Sequence, residues 1–137
     1  MRRILLAILV WSAGVAHATD LTEPDLAALK WVARPIIVFA DTPNDPRLIQ
    51  QIEEFDLRKD EFDERDVVIL VDTDPATTSD LRDQFRPRDF RVLVLGKDGK
   101  VVYRKSNPVT AREVIRLIDR LPLRRDEVAA ERHHVSE

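Results

Sequence analysis

Carboxylate and guanidinium groups gather at two places where apolar runs give way to polar loops. Asp41 and Asp45, with Thr42 and Asn44 between them, follow the run Ile36 to Ala40, and Arg86, Arg88, Asp89 and Arg91 crowd a loop ahead of Val92 to Leu95. If the fold apposes these loops, Asp41, Thr42, Asn44, Asp45, Arg88 and Arg91 can grip a peptide backbone or the charged ends of a small ligand. The blander outcome is that Asp41 or Asp45 pairs with Arg88 or Arg91 at the surface, worth roughly 0–1 kcal/mol. Asp72 and Asp74 close another apolar run, Val67 to Val71. Together with Asp41 they stand where open α/β sheets hold ligands. A hard cation wants more oxygen ligands than these aspartates supply, and aspartate is also a turn and cap residue. No metal and no cofactor is therefore expected.

Other chemistry is excluded by composition. The chain has no cysteine, which removes thiol–disulfide exchange, thiolate nucleophiles and thiolate metal ligands. His133 and His134 are adjacent near the C-terminus, but structural zinc wants four ligands and no third is nearby. No serine or threonine shows the spacing of a base-activated nucleophile. A net charge of −3 gives no field to draw nucleic acid or an anionic membrane.

The first residues form a separate unit. Met1-Arg2-Arg3 is a basic start, Ile4 to Val15 is apolar, and Ala16-His17-Ala18 is a small-x-small cleavage site. This is the three-part pattern of a secretory signal, shorter than the ~20 apolar residues of a spanning helix. Residues 1–18 are thus expected to be removed, with no membrane insertion afterwards and a periplasmic or secreted destination. Loss of Arg2 and Arg3 takes the charge from −3 to −5. In an oxidising compartment, a cysteine-free core must hold itself together by burial alone.

The elements that position the two loops are legible from periodicity. Thr22 and Pro24 can open a short helix bearing Leu26 and Leu29 on one face, with Trp31 and Val32 continuing that apolar surface onto a sheet. Ile36 to Ala40 reads as a central strand buried on both faces. Leu48, Ile52, Phe55 and Phe62 recur at helical spacing, predicting a helix from Pro46 to Asp63 capped by Asn44 or Asp45. Val67 to Val71 is a second strand, and Thr77 to Asp80 starts a helix that Pro87 limits to about two turns. Phe90 to Leu95 and Val101 to Arg104 flank an Asp98-Gly99 turn and read as a hairpin. Thr110 and Glu113 have the spacing of a capping box ahead of an apolar face from Val114 to Leu121. The domain spans residues 19–123. The charged stretch 124–137 is expected as a loosely held tail or one further short helix.

A helix between two buried strands demands a right-handed parallel crossover, and the hairpin demands an antiparallel pair. One four-stranded mixed sheet with flanking helices satisfies both, and that α/β arrangement is thioredoxin-like. Several stretches narrow the resemblance: Leu29 to Ala40, Asp45-Pro46-Arg47-Leu48, Glu64 to Val68, Val94 to Gly99 and Leu121-Pro122-Leu123-Arg124. They resemble the domain-of-unknown-function family numbered 4174 over about residues 24–125. That family occurs as small exported bacterial proteins and within extracellular sushi-repeat and coiled-coil proteins of animals. The resemblance implies a thioredoxin-like fold and an extracytoplasmic setting, and brings no catalytic residue with it.

Set against thioredoxins, the sequence lacks both hallmarks. With Phe39-Ala40 at the end of the first strand, the place of the Cys-x-x-Cys pair falls on Pro43-Asn44-Asp45-Pro46. The place of the substrate-cradling cis-proline falls on Phe90-Arg91-Val92. The expectation is a redox-inactive binding or interaction module, not an enzyme, that takes a protein or peptide partner. The alternative is a thiol-independent enzyme acting on an anionic substrate at an Asp41/Asp72/Arg91 corner.

Overall fold

The computed structural model describes residues 26–136. The expected leader, its cleavage site and the Thr22-Pro24 helix start lie outside them. The elements run α1 Leu26–Leu29, β1 Arg34–Phe39, α2 Pro46–Asp56, α3 Lys59–Asp63, β2 Val67–Asp72, α4 Asp80–Phe85, β3 Arg91–Leu95, β4 Val101–Lys105, α5 Ala111–Asp119 and α6 Pro122–Val135. The strands form a 4-stranded sheet in the order β2-β1-β3-β4. β1 pairs parallel with β2 and antiparallel with β3, and β3 pairs antiparallel with β4 across the Gly99 turn. Gly99 holds φ +80, a conformation that glycine adopts without strain.

β1 is buried along its whole length because both faces of the sheet are covered. Alternation then divides its side chains. Ile36 and Val38 join Val92 and Val94 under Leu48, Phe55, Phe62, Val114 and Ile118 of α2, α3 and α5. Ile37 and Phe39 join Leu70, Leu93 and Leu95 under Leu26, Leu29, Leu81 and Phe85 of α1 and α4. Gln51 is the polar exception within the first layer. Its amide donates to the Val109 carbonyl at 2.9 Å and accepts from the Val109 N–H at 2.8 Å, anchoring the segment before α5.

Three local expectations change, and a fourth, open between two outcomes, is decided. The helix predicted over Pro46 to Asp63 breaks at Leu57-Arg58, where Arg58 leaves helical angles with φ −128 and ψ 32. A continuous helix would set positions 55 and 62 about 10.5 Å apart along its axis. The break brings Phe62 edge-on to Phe55 with ring centroids 5.3 Å apart. Trp31 and Val32 do not cover the sheet but are 68% and 64% exposed. Trp31 takes φ 65 and donates its N–H to the Lys97 carbonyl at 2.8 Å, a left-handed turn between α1 and β1. The capping box is half made. Thr110 accepts from the Glu113 N–H at 3.2 Å, but the Glu113 carboxylate is taken by the Tyr103 hydroxyl. Finally, of the two outcomes expected beyond Leu123, a loose tail or a further helix, the helix forms, as part of the 14-residue α6.

α6 is held by charge rather than by an apolar face. Glu127 accepts from Arg34 Nη2 at 3.0 Å, and its Oε1 lies 2.7 Å from Lys97 Nζ. Arg34 sits at the start of β1 with 1% exposure and also donates to the Arg65 carbonyl at 2.8 Å. Burial would raise the Glu127 pKa, but the hydrogen bonds from Lys97 and Arg34 outweigh it and hold the carboxyl below its ordinary range.

Candidate functional site

β1 ends at Phe39, and the chain leaves the sheet through Ala40 into four exposed residues, Asp41 to Asn44. Asp45 then caps α2, accepting from the Arg47 N–H at 2.9 Å, with Pro46 in the first turn where its missing N–H costs nothing. The opposing loop runs from Arg86 to Phe90. Arg86 ends α4 in the left-handed region at φ 45, and Asp89 takes φ 56. Two non-glycine residues in that region make a stiff, sharply turned loop.

The two loops meet through Arg47. Its guanidinium donates from Nε to Asp45 Oδ1 at 3.0 Å and from Nη2 to Asp45 Oδ2 at 2.7 Å. It also reaches Asp89 from Nη1 at 2.9 Å and from Nη2 at 2.6 Å, with its carbon 5.3 Å from the centre of the Phe90 ring. Such two-pronged pairing sets orientation as well as strength. Arg47 keeps the carboxyls of both Asp45 and Asp89 below the ordinary aspartate range, and the two carboxylates raise the pKa of Arg47 in turn.

A second arginine holds the neighbouring corner. Arg82 of α4 donates from Nε to Asp72 Oδ1 at 2.8 Å, and from Nη2 to the Ala40 carbonyl at 2.9 Å and the Asp72 carbonyl at 3.2 Å. Ser79 caps α4 and also donates to Asp72 Oδ2 at 2.6 Å. The ends of β1 and β2 are therefore tied together by one guanidinium lying 5.5 Å from the centre of the Phe39 ring.

The residues singled out from sequence are distributed as follows. Asp41 and Arg88 are exposed and make no hydrogen bond or ion pair among the described residues. Thr42 Oγ1 accepts from the Asn44 N–H at 3.3 Å. Arg91 donates to Ser106 Oγ at 2.6 Å. The expected pairing of Asp41 or Asp45 with Arg88 or Arg91 does not form; the Asp45 carboxylate is taken by Arg47, two residues further along the chain. In the Asp41/Asp72/Arg91 corner, Arg91 and Asp72 flank Phe39 on opposite sides, and the Asp72 carboxylate is already engaged by Arg82 and Ser79. Asp74 turns to its own loop, accepting from Ala76 N, Thr77 N and Thr77 Oγ1. The carboxylates of Asp72 and Asp74 thus serve as turn and brace groups. His133 and His134 are exposed on the last turns of α6.

Sequence reasoning missed Arg47, Arg82 and Asp89. Arg47 had a usable signal, an arginine two residues after a helix-capping aspartate. Arg82 had none, since an arginine between Leu81 and Asp83 reads as a solvated helix position until the ends of β1 and β2 are placed beneath it.

Fold and composition together define a thioredoxin-like domain that contains no cysteine. Its backbone is similar to that of thioredoxin-2 of the malaria parasite, described as a component of its protein secretion machinery, with 18% identity over 65% of this chain and 84% of that one and a TM-score of 0.53. It is similar also to the reduced 2-Cys peroxiredoxin of Plasmodium vivax, with 17% identity over 82% and 85% of the two chains and a TM-score of 0.56. At such identities the likeness concerns the fold. No curated protein matches the chain. The family model described as "Domain of unknown function (DUF4174)" matches residues 25–127, and the chain belongs to that family.

Proposed function

We propose that this protein is an exported, redox-inactive binding module, and that its recognition rim is built from the β1–α2 loop and the loop before β3. The carrying observation is the Arg47 clamp. By engaging Asp45 and Asp89 together it stiffens both loops and leaves Asp41, Asn44 and Arg88 exposed for a partner. Ordering the rim in advance lowers the entropy that association must overcome. An unpaired carboxylate and guanidinium on the two loops suit an extended peptide or protein segment carrying both signs of charge. The leader-like start supports export. The described residues hold no helix long and apolar enough to cross a membrane. Disulfide exchange has no nucleophile here, since the chain has no cysteine. The alternative, turnover of an anionic substrate at Asp41, Asp72 and Arg91, loses ground because Asp72 is committed to Arg82 and Ser79.

The test places a photo-crosslinker at Asn44 in the protein expressed in intact cells. A specific adduct is expected that disappears in an Asp41→Ala/Arg88→Ala variant of unchanged melting temperature. The same adduct from a crosslinker at Lys59 would remove the rim from the account. Disulfide reductase activity in the purified protein would overturn redox inactivity.

A further inference from the structure

At the other end of β1, α6 and the α3–β2 turn enclose an open depression of about 400 Å³. Arginines dominate its lining: Arg65 from the turn, with Arg124, Arg125 and Arg132 from α6. The sole lining carboxylate, Asp119, is spent on Arg65, which grips it through Nε at 2.8 Å and Nη2 at 3.0 Å. Arg125 and Arg132 are exposed and unpaired, and they lie two turns apart on the same helix face, with Val128 and Ala129 between them. In a chain with net charge −3, this is a local excess of positive charge.

Arg124 turns the cluster into a site. It is 7% exposed, yet its one hydrogen bond among the described residues runs from Nη1 to Glu127 Oε2 at 3.4 Å, and its Nε is buried without a partner. Glu127 is shared with Arg34 and with Lys97, which also pairs with Asp66, so Arg124 has only a share of one carboxylate. Nε is closed off from the depression, but Nη2 makes no hydrogen bond among the described residues, so an anion seated there can supply an acceptor that Arg124 lacks. We propose that this depression binds the phosphate group, dianionic near neutral pH, or the singly charged sulfate group of a small monoester. Such a group offers three terminal oxygens and can accept from Arg124, Arg125 and Arg132 from different directions, whereas a carboxylate has two. Val128 and Ala129 provide an apolar floor for the organic part of the ligand. The site is independent of the rim at the other pole.

The experiment is calorimetric titration of the purified protein with glycerol 3-phosphate, inorganic phosphate and sodium sulfate, at ionic strength held constant with sodium chloride. Saturable binding in the range of roughly 0.1–1 mM is expected for at least one of them. The Arg125→Gln/Arg132→Gln variant is expected to keep its ligand-free melting temperature and to bind roughly tenfold or more weakly. Arg124→Lys, which retains the charge but not the fork, is expected to weaken binding while folding normally. The Asp41→Ala variant is expected to bind as the parent does. Absence of saturable binding, or equal affinity in the double variant, would overturn the proposal. So would binding to vesicles containing phosphatidic acid without binding to any of the soluble anions, which would assign the cluster to a membrane surface.

Discussion

Replacing Arg82 by methionine removes a guanidinium that is 9% exposed and joins three acceptors: the Asp72 carboxylate and the carbonyls of Ala40 and Asp72. Methionine keeps most of the volume above Phe39, so packing loss is small and the cost is electrostatic. The Asp72 carboxylate, 12% exposed, keeps Ser79 as a donor and loses its counter-charge. Breaking a buried pair from one side costs about 3–5 kcal/mol, because the remaining charge stays desolvated. For a domain of this size that corresponds to a fall in Tm of roughly 12–20 °C.

The pair separates this account from one in which Arg82 merely fills space. Asp72→Leu alone strands the guanidinium and is expected to destabilise by a similar amount. The Arg82→Met/Asp72→Leu double variant strands neither charge. It is expected to recover at least about 2 kcal/mol relative to the worse single variant, while the two carbonyls that Arg82 served remain unsatisfied. Urea unfolding of the four proteins at one pH gives the cycle directly. A single-variant cost below about 1 kcal/mol, or two single costs that simply add in the double, would refute the reasoning that this pair ties the strand ends beneath the rim.

Three further outcomes are expected. Gln51→Leu should destabilise by about 2–4 kcal/mol in chemical unfolding, because the Val109 N–H and carbonyl are left buried and unpaired. Lowered pKa values at Asp45 and Asp89 mean stability that is present above the ordinary aspartate value of 3.8 and lost as pH falls through the lower folded values. Arg47→Ala removes the cause of both shifts, so the variant should lose less stability than the parent between pH 7 and the acid limb of an unfolding series. Burial and the Glu113 carboxylate push the phenol of Tyr103 up to about 12, so its ultraviolet titration should lag well behind a free tyrosine, and Glu113→Gln should bring it down. Because Tyr103 is the only tyrosine in the chain, the signal is unambiguous. A raised acid pKa also means that stability is lost as pH rises through the alkaline range.

Much of the fold can be read along the chain, since its signals are local. Ile36 to Ala40 is apolar without interruption because both faces of β1 are covered, and Asp98-Gly99 marks the β3–β4 turn because only a few residues tolerate that geometry. The caps Asp45, Ser79 and Thr110 stand where polar residues precede helical periods. Where local signals conflicted with distant packing, the reading failed. The Phe55–Phe62 contact broke a helix whose periodicity was continuous, and the Lys97 carbonyl turned Trp31 out of the apolar surface that its type suggested. α6 shows a related limit, because residues 124–137 carry too few apolar groups to tell a packed helix from a loose tail. The residue that secures it, Glu127, has partners 93 and 30 positions away, Arg34 and Lys97.

For the site, sequence by itself determined the absence of thiol chemistry and the two loops that carry the charged groups. Those facts depend on residue type and on strand-to-loop transitions, both of which are local. Only the tertiary structure decided which charges are spent and which are free. Any of the arginines could in principle reach any nearby aspartate, and backbone placement selects Arg47 for Asp45 and Asp89, and Arg82 for Asp72, leaving Asp41 and Arg88 unpaired. Pairing between long side chains is a matter of a few ångströms, and those are fixed by the three-dimensional course of the chain rather than by spacing along it.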